Sequence, residues 1–271
     1  MLAEAFEFAI SPCPQWARRL GYLHQAVALR ARHRRCRAHW RPHLDACHRL
    51  ILDAMAGCTG RRRAVVLGSG LLLEVPVAEL AAAFDEVVLV DAVHLLPERW
   101  RLRRWPGVRT VEDDVTGVVA RLPAGGALPP AEVLPRGRPA RLAGLEFDFA
   151  VSANLLSQLP LLPLRFLETR RSLRDGAARA AMARALIERH LEGLCDLAPV
   201  SCLITDRESL ICDGEAVLDR DDLLSGVILP PPDREWLWDI APRPELYRTH
   251  DVRHRVAGYL RLSVTAKDGS A

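Results

Sequence analysis

Two short apolar runs separated by a helical stretch constrain this chain more than any other feature. Ala64–Leu67 ends at Gly68, Glu86–Val90 ends at Asp91, and Pro76–Phe84 lies between them with helical spacing. Parallel neighbours cannot be joined by a tight turn, so a strand, helix, strand unit of this length predicts a parallel sheet with a right-handed crossover. The alternation continues. After a helical stretch near His94–Arg103, Val108–Val111, Phe147–Val151 and Val200–Ile204 read as further strands, with a long amphipathic helix over Arg171–Leu197 before the last. Glu235–Ile240 and Arg255–Val264 follow with no helix between them, which predicts an antiparallel hairpin closing an otherwise parallel α/β sheet. The stretch Leu122–Leu142, rich in Pro, Gly and Ala, reads as a surface loop.

Residues 1–60 stand apart. Trp16, Leu20, Leu23 and Val27 share one helical face; Leu44, Cys47, Ile51, Ala54, Met55 and Cys58 share another, and Pro42 divides them. The expected organisation is an N-terminal helical extension or cap over 1–60 and an α/β domain over 61–271. Charge follows the same division. The first 60 residues hold nine arginines against four acids, a net of +5, whereas the remainder carries −2.

Composition removes whole reaction classes. Of 37 basic residues only Lys267 is a lysine, so neither a G-x-x-x-x-G-K-[ST] phosphate loop nor a buried Schiff-base lysine is available. Seven cysteines without a C-x-x-C pair and without a recognisable leader point to a reduced, cytoplasmic chain, and no apolar run reaches membrane-spanning length. Cys36, His39, His43 and Cys47 are zinc-ligand types, but one continuous helix spreads them over about 16 Å, too far for bonds of about 2 Å. No metal site is expected. The arginine run Arg30–Arg41 reads as a solvated helix surface, with nucleic-acid phosphate binding as its functional alternative.

In a parallel sheet, ligands sit beyond the carboxyl ends of the strands. The first strand is followed by Gly68-Ser69-Gly70, the second by Asp91, the third by Asp113 and Asp114, and the fourth by Ser152 and Asn154. Glycines admit close backbone approach, and a carboxylate on the neighbouring strand can accept both hydroxyls of a ribose. A tight strand-to-helix turn explains the glycines equally, and an N-cap explains the acids after strand three. Asp206, Arg207 and Glu208 follow the fifth strand at the same rim; Asp206 and Asn154 are the candidate catalytic groups, and a merely solvated loop is the plainer reading of the former. Trp236 and Trp238, at period two, share a face that packs the sheet or lines a pocket.

In this order, Val65–Gly70, Val87–Asp91, Glu112–Thr116, Asp148–Leu159 and the closing hairpin resemble the class I S-adenosylmethionine-dependent methyltransferases over about residues 60–265. The resemblance implies a Rossmann-like, doubly wound, seven-stranded mixed sheet with one antiparallel strand. It implies S-adenosylmethionine as cofactor, with Gly68, Ser69 and Gly70 at its methionine part, Asp91 on its ribose and Asp113 or Asp114 at its adenine. Ser152 and Asn154 would face the transferred methyl, and a small molecule or macromolecule would accept it. The chain departs from the family at Val66, usually an acid, and at Leu72, usually a third glycine; Glu74 is a carboxylate nearby. Two other readings use the same residues: a methyltransferase-like scaffold or binding module without catalysis, and a nicotinamide-dependent oxidoreductase, which the bulky Leu71–Leu73 disfavours.

Overall fold

The computed structural model describes residues 8–125, 128–169 and 175–263. Lys267, residues 171–174 of the long amphipathic helix and residue 264 of the last strand lie outside them. Eight strands form one sheet: β1 (Arg63–Leu67), β2 (Glu86–Asp91), β3 (Val108–Glu112), β4 (Phe149–Ala153), β5 (Val200–Asp213), β6 (Ala216–Asp222), β7 (Arg234–Ala241) and β8 (Asp251–Tyr259). The spatial order is β3-β2-β1-β4-β5-β8-β7, with β6 paired to the far half of β5. β1 to β5 are parallel; β8 runs antiparallel to both β5 and β7, which leaves β7 parallel to the first five. This is the Rossmann-like mixed sheet of seven strands with one reversed strand, and β6 adds an eighth. An all-parallel dinucleotide sheet has no such reversed strand.

The helices are α1 (Gln15–Leu20), α2 (Tyr22–Ala56), α3 (Val77–Ala83), α4 (Leu96–Leu102), α5 (Leu161–Thr169) and α6 (Gly176–Cys195). The break expected at Pro42 lies elsewhere. Gly21, with φ of 93°, separates α1 from α2, because the left-handed backbone needed to end a helix is open to glycine. α2 then runs 35 residues through Pro42, and the distortion falls at Cys36 (φ −100°, ψ 15°). Cys36 lies six residues before Pro42, beyond the carbonyl on which a proline ring presses, and the backbone at Pro42 itself stays helical.

Alternation along each strand sends two sets of side chains to opposite faces. On one face, Val66, Leu89, Val151, Cys202 and Val256 pack with Cys47, Leu50, Ile51 and Ala54 of α2 in one core. On the other, Val65, Val88, Ala150 and Leu203 pack with Ile187, Leu191 and Leu194 of α6. The stretch 122–142 is more than a surface loop: Leu122, Leu134 and Leu142 are buried, and short 3₁₀ turns span Val119–Ala124, Ala131–Val133 and Ala140–Leu142.

α2 is fixed to the hairpin by Trp40, which is fully buried, meets Trp238 edge to face at 4.9 Å and donates from Nε1 to the Ile240 carbonyl at 3.0 Å. Trp40→Ala removes this anchor and is expected to lower unfolding free energy by about 3–5 kcal/mol in urea titration. Trp100→Ala, at a residue 66% exposed, is expected to change it by less than about 0.5 kcal/mol. Equal effects would contradict this account of the core.

Candidate functional site at the carboxyl rim

Strand order reverses between β1 and β4, so the crevice of the sheet opens where β1 ends. There the chain turns sharply. Gly68 (φ 78°) and Gly70 (φ 32°) take left-handed conformations that a side chain would strain, and Leu72 takes one as well (φ 59°) despite its Cβ. The N–H groups of Gly68 and Ser69 both donate to the Val90 carbonyl, at 2.9 and 3.2 Å. Gly70 N–H donates to Asp91 Oδ2 at 2.8 Å, and Val93 N–H reaches Oδ1 at 3.4 Å. Burial raises the Asp91 carboxyl above the usual range, opposed by His94 and by the Gly70, Val93 and Ala92 amides. The space of the missing side chains is shared out within the chain: a Cβ on Gly68 would meet Leu155 Cβ at 2.8 Å, and one on Gly70 would meet Asp91 Oδ2 at 3.3 Å.

Ser69 is held from the far side. Its Oγ lies 2.8 Å from Nε2 of the fully buried His94, whose Nδ1 lies 2.8 Å from Glu112 Oε1 at the end of β3. Arg99 of α4 reaches the same Glu112 oxygen at 2.6 Å. Burial alone would raise Glu112, but His94 and Arg99 hold it below the usual carboxylate range. The sequence offered no sign of this relay, whose members belong to three separate strand ends.

Asp114 is buried and committed to its own turn: Oδ1 accepts from the N–H and hydroxyl of Thr116, and Oδ2 from the Ala120 N–H. Asp113 accepts from the Asp114 and Arg141 amides. Both acids therefore act as turn caps. Burial, with Asp114 and Asp91 nearby, pushes up the phenol of Tyr22, the first residue of α2. Beside it Ala17, Leu23 and Val27 pack on Leu71, Val93 and Leu95, so α1 and the start of α2 lie over the carboxyl ends of β1 and β2.

The fourth strand divides its two candidates. Ser152 lies within β4, turned to the α6 face, with its hydroxyl 2.9 Å from His190 Nε2. His190 is fully buried and its pKa is lowered by desolvation to about 4. Asn154 lies past the strand end in a left-handed conformation (φ 49°), its N–H on the Ile204 carbonyl at 2.9 Å and its Oδ1 buried without a partner. Asp206 does not follow β5 as expected, because β5 continues to Asp213, supported by β8 on one side and β6 on the other. It is buried inside the strand, its Oδ2 lies 2.9 Å from His254 Nδ1, and its Oδ1 has no partner. Trp238 stacks flat on His43 of α2, with centroids 4.0 Å apart, and Trp236 donates to His43 Nδ1 at 3.0 Å.

The basic helix is laced with acids rather than presenting one bare cationic face. Arg30 pairs with Glu98, Arg32 and Arg35 with Glu245, and Arg41 with Asp45. No helix of the described residues is long and apolar enough to cross a membrane.

No protein-family model matches the chain, and no curated protein matches it. Among solved structures it is similar to the N-methyltransferase NodS of Bradyrhizobium japonicum WM9 in complex with S-adenosylhomocysteine, at 13% identity over 80% of this chain and 86% of that one, with a TM-score of 0.36. It is also similar to a DhpI–S-adenosylhomocysteine complex, at 14% identity over 86% and 93%, with a TM-score of 0.38. A third is the 23S rRNA methyltransferase ErmE, at 12% identity over 80% and 70%, with a TM-score of 0.30. Overlaps this loose leave the fold assignment to the strand order itself.

The buried His190 has a pH consequence. Its folded pKa of about 4 lies below the unfolded value, so its effect on stability is absent above pH 6.5. As pH falls through 6.5 the unfolded chain takes up a proton that the folded chain refuses, and stability declines down to about pH 4 by up to about 3 kcal/mol. His190→Gln is expected to remove that part of the slope in denaturant titrations between pH 7 and 4.5. An unchanged slope would contradict the assignment.

Proposed function

We propose that this chain binds S-adenosylmethionine at the carboxyl ends of β1 and β2 and transfers its methyl group to an acceptor at the ends of β4 and β5. The observation that carries the reading is Asp91. It is the acid at the end of the strand beside the switch point, tied to the glycine turn through the Gly70 N–H and still partly accessible. A carboxylate there has lone pairs left to accept two ribose hydroxyls.

The turn fits that cofactor in two further respects. Left-handed backbone at residues 68, 70 and 72 keeps the chain close to the sheet, and Leu72 takes that conformation at the position where the family usually has a glycine. Asn154 Oδ1, buried and unpartnered at the end of β4, is a polar atom whose position calls for a donor. When bound, the sulfonium supplies an already activated methyl group, so the protein has mainly to align it and exclude water. In this reading α1 and α2 shield the rim, the buried Asp206 fixes His254 with its proton on Nδ1, and Asn154 orients the acceptor side.

A second reading, a methyltransferase-like scaffold without catalysis, is favoured by Leu155 and Asp91 lying where glycine side chains would be, by the caps on Asp113 and Asp114, and by Val66 at a position usually acidic in the family.

Melting with S-adenosylhomocysteine separates them. At 100-fold over its dissociation constant the ligand is expected to add about 2.7 kcal/mol and raise Tm by about 5–10 °C. Asp91→Asn retains an acceptor for Gly70 yet is expected to lose most of that shift. No shift at millimolar ligand would leave the scaffold reading.

A further inference from the structure

We infer that His94 is the positioning residue of the proposed cofactor turn, acting through Ser69 and anchored by Glu112; the inference rests on the cofactor reading above. Ser69 stands between two glycines, the residues with the least conformational restraint of their own, so the backbone at 68–70 keeps one shape only if something outside it does the holding. The main-chain bonds to Val90 fix the entry to the turn, and its middle is fixed through the side chain of Ser69, whose Oγ lies 2.8 Å from His94 Nε2 and, less closely, 3.3 Å from the Val90 carbonyl. Glu112 accepts and cannot donate, which places a proton on His94 Nδ1 and leaves Nε2 aimed at Ser69. Arg99 secures the relay twice, through Glu112 and by donating from Nε to the His94 carbonyl at 3.1 Å. A fully buried imidazole with both nitrogens engaged has few alternative orientations, so it transmits the position of β3 to the turn. The result is that Gly70 N–H points at Asp91, the bond on which the ribose contact depends.

Two amides divide the imidazole's roles between them. The glutamine side-chain amide reaches the place of Nε2, where its oxygen can accept from the Ser69 hydroxyl as the unprotonated Nε2 does; the asparagine amide reaches only that of Nδ1 and can meet only Glu112. Binding of S-adenosylhomocysteine, measured by titration calorimetry on the full chain, is expected to weaken about tenfold in His94→Asn and in Ser69→Ala, and to stay within about threefold of wild type in His94→Gln. Melting temperatures of the free variants report separately on folding, and Ser69→Ala, which deletes one oxygen, keeps the test informative if the asparagine variant misfolds. Equal weakening by both amides would make His94 a space-filling residue and overturn the inference, as would unchanged binding in Ser69→Ala. If the wild-type chain itself does not bind, the cofactor reading fails first and this inference falls with it.

Discussion

The turn after β1 is tied to the end of β2 at three successive amides: Gly68 and Ser69 on the Val90 carbonyl, and Gly70 on the Asp91 carboxylate. Everything at the rim follows from that seam. It forces left-handed backbone at two glycines, brings the end of β4 against Gly68 through Leu155, and sets Asp91 beside the point where strand order reverses. Burial raises the Asp91 carboxyl against the opposing pull of His94 and of the Gly70, Val93 and Ala92 amides.

Around the seam the fold uses its helices unequally. α6 covers one face of the sheet, with His190 buried beneath Ser152. α2 has two duties: its second half closes the opposite face over β5, β7 and β8, and its first turns reach across the rim to Leu71 and Val93. One helix thus couples the closing hairpin to the proposed cofactor turn. The change of direction between these duties falls near Cys36, where α2 departs from helical geometry.

Much of this was legible in residue order. Short apolar runs ending in Gly68, Asp91 and Glu112 gave three parallel strands, and the absence of a helix between the last two strands gave the reversed β8. What failed did so for physical reasons. Pro42 suggested a break, yet packing of Cys47, Leu50 and Ile51 on the sheet keeps α2 continuous. The residue types of Asp206, Arg207 and Glu208 suggest a loop after Ile204, whereas cross-strand pairing with β8 carries β5 onward and buries Asp206 against His254. β6 carries no alternating apolar pattern, because all its residues are exposed. Ser152 looked like a rim residue, but strand parity turns it beneath the sheet. His94 had no local signal, since its partners lie 25 residues before it and 18 after.

The central claim is that the glycine turn, the end of β2 and the start of α2 form one ligand site. Amide hydrogen exchange followed by mass spectrometry, with and without S-adenosylhomocysteine, tests it directly. The account predicts ligand-induced protection concentrated in 68–75, 91–95 and 15–29, with little change in β6 or the far ends of β7 and β8. Protection centred elsewhere, or none at saturating ligand, would contradict it.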